Sequence, residues 1–190
     1  MEVAQRAYEI DPISALIEGT MVHPCLATGQ GDEAVEYCKR AIELMPFWYY
    51  PYWALVWVYT DQGIYKEALQ VFEQSDLALS RTESEIVPLV GWRGFLYAQN
   101  GSFSEAQECL DQLSESVERS PCARYEAARI CAALGRTEEV FRFLEDSGFC
   151  AIQVGLDRVT WKPVRDDPRF HQFLRGMNFP EETVEAILTE

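Results

Sequence analysis

Four glycines divide this chain into copies of one unit. Gly29, Gly63, Gly101 and Gly135 each close a helix-like run, and each is followed five positions later by a small-side-chain slot: Ala34, Ala68, Ala106 and Val140. The steps between the glycines are 34 residues (29 to 63), 38 (63 to 101) and 34 (101 to 135). Upstream, Ala7 to Ala41 and Pro12 to Pro46 repeat the 34-residue step. A period of this size signals stacked supersecondary units and excludes a single irregular globule. Glycine accepts the left-handed conformation that ends a helix. A small residue lets the next helix cross close to the first, and a proline beyond the second helix stops it. Each unit is therefore a helix–turn–helix hairpin that cannot bury its apolar face alone and must stack on its neighbours.

These hairpins resemble the tetratricopeptide (TPR) repeat, with its pattern W-x2-L-G-x2-Y, then G-x-Y-x2-A-x3-F-x2-A, then P. The second copy carries Leu55, Tyr59, Gly63, Tyr65, Ala68 and Phe72; the third keeps Tyr97, Gly101, Phe103, Ala106 and Leu110, with four extra residues before it around Ser80 to Glu83. The first and fourth copies are degenerate in their opening helices, and Pro24 predicts a kink in the first. The resemblance covers residues 1 to 150. It implies an all-α, right-handed superhelical solenoid of TPR-like hairpins with C-terminal capping helices. Residues 1–12 read as the end of a preceding repeat or an N-terminal capping helix, 13–148 as four repeats, and 149–190 as the cap. Because residues 3–12 look like a second helix without its own first helix, we expect either a longer array upstream or an orphan cap.

The segment Val159-Thr160-Trp161-Lys162-Pro163-Val164-Arg165-Asp166-Asp167-Pro168-Arg169-Phe170 resembles the tail that follows TPR arrays in many bacterial regulators, D-P-x-W-x-P-L-R-x-D-P-R-F. It departs from that pattern just before Trp161, where Val159 stands in place of the D-P proline, and again at Asn178-Phe179, where the continuation of the tail usually has G-L. The resemblance implies the C-terminal part of a regulatory or signalling protein. Physically, Asp167 suits a helix N-cap, Pro168 the first helical position, and Phe170, Phe173 and Leu174 an apolar stripe. A last helix is expected after Pro180, with Val184, Ile187 and Leu188 on its inner face.

Charge narrows the partners. The chain carries 16 basic and 31 acidic side chains, a net −15. Of this, −13 lies in residues 1 to 118 (6 basic, 19 acidic), leaving −2 for residues 119 to 190 (10 basic, 12 acidic). Such a balance argues against a nucleic-acid surface, which needs a basic stripe, and against an anionic membrane. Most of the acidic residues fall on second helices, as a solvated outer face; the alternative is attraction of a basic partner. The first residues lack the apolar core of a signal peptide, and Phe47 to Tyr59 is too short to span a bilayer. The cysteines at 25, 38, 109, 122, 131 and 150 include no C-x-x-C pair, and His23 and His171 cannot complete a zinc set with them. They read as reduced, structural residues, which points to a cytoplasmic setting.

Sequence reasoning finds no chemistry. Nucleophile elbow, phosphate loop, H-E-x-x-H and dinucleotide motifs are missing, so no catalytic residue, metal or cofactor is assigned. Paired carboxylates such as Asp32/Glu33 and Glu138/Glu139 sit in first helical turns, where they suit the helix dipole. The candidate site is instead a concave groove lined by first helices: His23; Tyr50, Trp53, Trp57 and Asp61; Phe95 and Gln99; Tyr125 and Arg129. Tyr50, Trp53 and Trp57, at i, i+3 and i+7, share one helix face. Their alternative role is core packing, which complete burial of both indoles would establish. With Arg129 as the one cation in these slots, an acidic chaperone tail is a poor fit. The expected function is a non-catalytic protein-interaction module that holds a peptide or partner helix. Two other readings stand beside it: a ligand sensor regulating an N-terminal effector, and a groove filled by the chain's own cap or by a second copy as a homodimer.

Overall fold

The computed structural model describes residues 21, 22, 25, 29–78, 83–145, 158–177 and 179–189, and among these every regular element is helical. The expected helix at 3–12, the kink at Pro24, the slot residue His23 and Cys150 lie outside the described residues. The chain divides into two compact units, residues 1–80 and 81–190. The boundary falls where the sequence carries its four extra residues.

In the first unit, α1 (Gly31–Leu44) and α3 (Tyr65–Ala78) both pack on α2 (Tyr49–Asp61). Nothing in α2 is charged before Asp61, and a helix apolar on all sides must be covered on several. Its neighbour α1 is amphipathic: Ala34, Val35, Cys38 and Ala41 are buried while Glu33, Glu36 and Glu43 face solvent. In the second unit, α6 (Pro121–Ala133) is central, packed against α4 (Glu83–Gln99), α5 (Phe103–Val117) and α7 (Thr137–Leu144). The short α8 (Arg158–Trp161) runs into a 3-10 turn, Lys162–Val164, and both lie against α6. Then α9 (Pro168–Gly176) contacts α7 and α10 (Glu181–Thr189).

The repeat is written in the turns. Gly29, Gly63, Gly101 and Gly135 all have positive φ, between 71° and 81°. After each, the next backbone N–H donates to a carbonyl five residues back: Gln30 to Cys25, Ile64 to Tyr59, Ser102 to Tyr97 and Arg136 to Cys131, at 2.8–2.9 Å. This closes the same C-terminal motif four times. The four small slots, Ala34, Ala68, Ala106 and Val140, have no solvent exposure at all, and in the second, third and fourth copies the second helix packs directly on its first.

The C-terminal helices start as their sequence requires. The Asp167 carboxylate accepts the backbone N–H of Arg169 at 2.9 Å, Pro168 opens α9, and Phe170 and Leu174 are fully buried. Val184 and Ile187 of α10 are buried as well. Burying side chains of this size contributes on the order of 1.5–3 kcal/mol each. Cysteines join the core: burial pushes the Cys38 and Cys131 thiols up to about 12. Such thiols stay protonated and pack as small apolar groups. No helix among the described residues is long and apolar enough to cross a membrane.

Candidate functional site

The aromatic residues of α2 form a ladder along one face. Trp48, in extended backbone just before the helix, stacks on Tyr50 with centroids 5.4 Å apart. Tyr50 meets Trp53 at 6.2 Å, and Trp53 meets Trp57 at 5.5 Å. Trp48, Tyr50 and Trp53 are half-buried, whereas Trp57 at the foot of the ladder is 8% exposed. The accessible rings therefore gather at the first turn of α2. Burial pushes the Tyr50 hydroxyl up to about 12, which keeps it a neutral donor. Asp61 is exposed at the far end of the helix.

Leading into the ladder is an apolar ridge. Leu44, Met45, Phe47 and Tyr49 are all exposed, Phe47 by 82%. Scattered exposed apolar residues need no explanation, whereas four within six positions beside a half-open ladder make this surface a candidate site. The sequence pattern does not single out Trp48 or this ridge, because Met45 to Trp48 fall between helices and Leu44 and Tyr49 are the terminal residues on either side, where periodicity gives little information. The available signal is composition: a run of aromatics at 47–50 interrupts the polar chemistry expected of a turn.

The second unit corrects the sequence-based groove. Phe95, Tyr125 and Arg129 have no solvent exposure. They are core residues, for two physical reasons. Ten positions before its turn glycine, where the second repeat has Trp53 and the fourth has Tyr125, the third repeat has Gly91. A Cβ there would collide with the Glu126 side chain, so the missing side chain lets α6 come close and Glu126 fill the slot. Arg129 then donates to the Glu126 carboxylate at 2.8 Å, with both side chains fully buried. Its guanidinium lies over the rings of Trp92 (4.2 Å) and Tyr125 (5.3 Å). The second reason is the cap: Trp161 meets Tyr125 edge-on at 5.4 Å and stacks on Phe170 at 5.8 Å. Gln99 is half-buried near the end of α4. Of the sequence-expected slots, the structure brings together Tyr50, Trp53 and Trp57 as one group, and Tyr125 and Arg129 as another.

A shallow cleft of about 380 Å³ lies between α7 and α9, floored by Phe141, Leu144, Phe173 and Met177. Arg169 at its edge is held over Phe141 at 4.1 Å. It donates to Glu138 at 2.9 and 3.0 Å and to Asp167 at 2.9 and 3.1 Å.

Solved structures match this helical arrangement over nearly the whole chain. The chain is similar to YrrB, a TPR protein with an unusual peptide-binding site, with a TM-score of 0.55, 17% identity, and 96% of each chain covered. It is also similar to a tetratricopeptide repeat protein from Parabacteroides merdae, with a TM-score of 0.59, 18% identity, and coverage of 98% of this chain and 68% of the other. The fold is that of TPR proteins. PilW, a widely conserved type IV pilus biogenesis factor, matches with a TM-score of 0.60 and 18% identity over 98% of this chain and 88% of its own. No family model and no curated protein matches the sequence. In TPR terms, the ladder is the face of a first helix, and the buried Glu126–Arg129 cluster joins two consecutive first helices.

Proposed function

We propose that this TPR chain is a non-catalytic interaction module that holds a protein or peptide segment against the first turn of α2. The observation that carries the reading is the half-open ladder Trp48–Tyr50–Trp53, fixed from below by Trp57. Rings already packed against one another lose little freedom on binding, so their apolar area and π faces are available at low ordering cost. The peptide-binding description of YrrB agrees with this use of the fold. The tail from Val159 to Phe170, similar to that of bacterial regulators, adds the context: a docking arm within a regulatory protein.

The reading is tested by titrating the chain with a peptide array while following indole emission. Segments that bind should perturb Trp48 and Trp53, and W53A should weaken them by roughly tenfold or more, as loss of an aromatic anchor does. F103A, which removes an exposed ring in the second unit, should leave binding unchanged. Binding that survives both W48A and W53A overturns the assignment.

A further inference from the structure

We infer that the segment taken by the α2 ladder is cationic: a stretch of protein that offers arginine to the rings and apolar side chains to the adjoining ridge. This rests on the docking role proposed above and adds the chemistry of the partner.

Charge in the sequence flanking the ladder is one-sided. From Ala41 to Tyr65 the sequence contains no lysine or arginine, but it has nine aromatic residues and the carboxylates Glu43 and Asp61. Both carboxylates are exposed. Across residues 31–78 there are eight acidic and three basic side chains. Two of the three basic groups have local work: Lys39 pairs with Glu36 at 3.4 Å, and Arg40 lies over Tyr37 at 4.8 Å. Among the described residues, none of these cations lies over Trp48 or Trp53. Ring faces carry negative potential and attract a cation, Trp most strongly and guanidinium more often than ammonium. The acidic excess of this part of the chain reinforces that attraction at longer range and speeds encounter.

The same protein shows what such a site holds when it is filled. In the fourth repeat, Arg129 sits six positions before the turn glycine, the place Trp57 has in the second. There the guanidinium is placed over Trp92 and Tyr125 with a carboxylate 2.8 Å away. At the rim of α9, Arg169 repeats the arrangement over Phe141, with Glu138 at 2.9 Å. Aromatic face, guanidinium and carboxylate thus recur as a set within the second unit. At the ladder the rings are present, the chain flanking them supplies exposed carboxylates at Glu43 and Asp61, and a partner would supply the arginine. The ridge of Leu44, Met45, Phe47 and Tyr49 then suits apolar residues flanking that arginine.

The test uses the full chain and three synthetic peptides of one length: leucine alternating with arginine, with glutamine, and with glutamate. Indole emission and calorimetry give the affinities. The arginine peptide should bind at least tenfold tighter than the glutamine peptide, and the glutamate peptide should bind weakest. Raising salt from 50 to 500 mM should weaken only the arginine peptide substantially. E43Q should reduce that salt dependence, and W53A should abolish the preference. Equal binding of the arginine and glutamine peptides at the ladder overturns the cationic inference and leaves the docking site standing. No indole response to any peptide of either this set or the array counts against both. Concentration-dependent self-association that covers the ridge without peptide would assign the surface to a second copy instead.

Discussion

Trp161, carried by the C-terminal cap, meets Tyr125 of the fourth repeat edge-on with ring centroids 5.4 Å apart. Tyr125 stands in its repeat where Trp53 stands in the second, so the cap covers in one repeat what is half-open in the other. The chain supplies its own occupant for the later position.

That contact should dominate the stability of the cap. Trp161 is 1% exposed and touches both Tyr125 and Phe170. W161A should cost roughly 3–5 kcal/mol in urea unfolding, as truncation of a buried aromatic does, and hydrogen exchange in α6 and α9 should quicken. The indole N–H is buried with no acceptor among the described residues. W161F removes that donor, so it should cost clearly less than W161A.

Gly91 is small because Glu126 is there. A Cβ at Gly91 would strike the Glu126 side chain at its Cβ, Cδ and Oε2 atoms. G91A should therefore destabilise by about 1–3 kcal/mol through overpacking, despite alanine's better helix propensity. At Gly176, also helical, nothing lies within 4 Å of an added Cβ. G176A should be neutral or stabilising by up to ~1 kcal/mol, measured in the same denaturation series.

How far the sequence reaches follows from these residues. The turn glycines and the buried small slots are legible because they answer local backbone demands that recur at a fixed spacing. Asp167 and Pro168 are legible for the same reason. Periodicity also identifies the face shared by Tyr50, Trp53 and Trp57. It does not reveal which faces stay open, because exposure depends on the neighbour's side chains. Gly91 lets Glu126 in, and Trp161 arrives from 36 residues downstream of Tyr125 (125 to 161). Phe95, Tyr125 and Arg129 are thereby drawn into the core. The Leu44–Tyr49 ridge escapes for the opposite reason: it spans a connection and the helix ends on either side, where helical period carries little information.

The buried pair Glu126–Arg129 should behave as a unit. Removing one partner strands a charge, so R129M should cost about 3–5 kcal/mol. The double variant E126Q/R129M has no buried charge and should recover most of that loss. A double-mutant cycle by urea unfolding measures the coupling. Additive losses would mean that the pair contributes packing alone.

Acid should loosen the junction of α7 and α9 through Arg169. Its hydrogen bonds and charge hold the Glu138 and Asp167 carboxyls below their ordinary values. A carboxyl depressed in the folded state contributes stability above its unfolded pKa and loses that contribution as pH falls through the folded one. The wild-type chain should therefore lose this increment as pH drops below the usual carboxylate range of about 4. R169M removes the shared partner. Its Tm should lie below wild type at pH 7, with the gap narrowing as pH is lowered through 4 toward 2. Both carboxylates lie at the surface, so 0.5 M salt should also shrink the gap at pH 7. A gap unchanged by pH would place the contribution of Arg169 in its packing over Phe141 rather than in its charge.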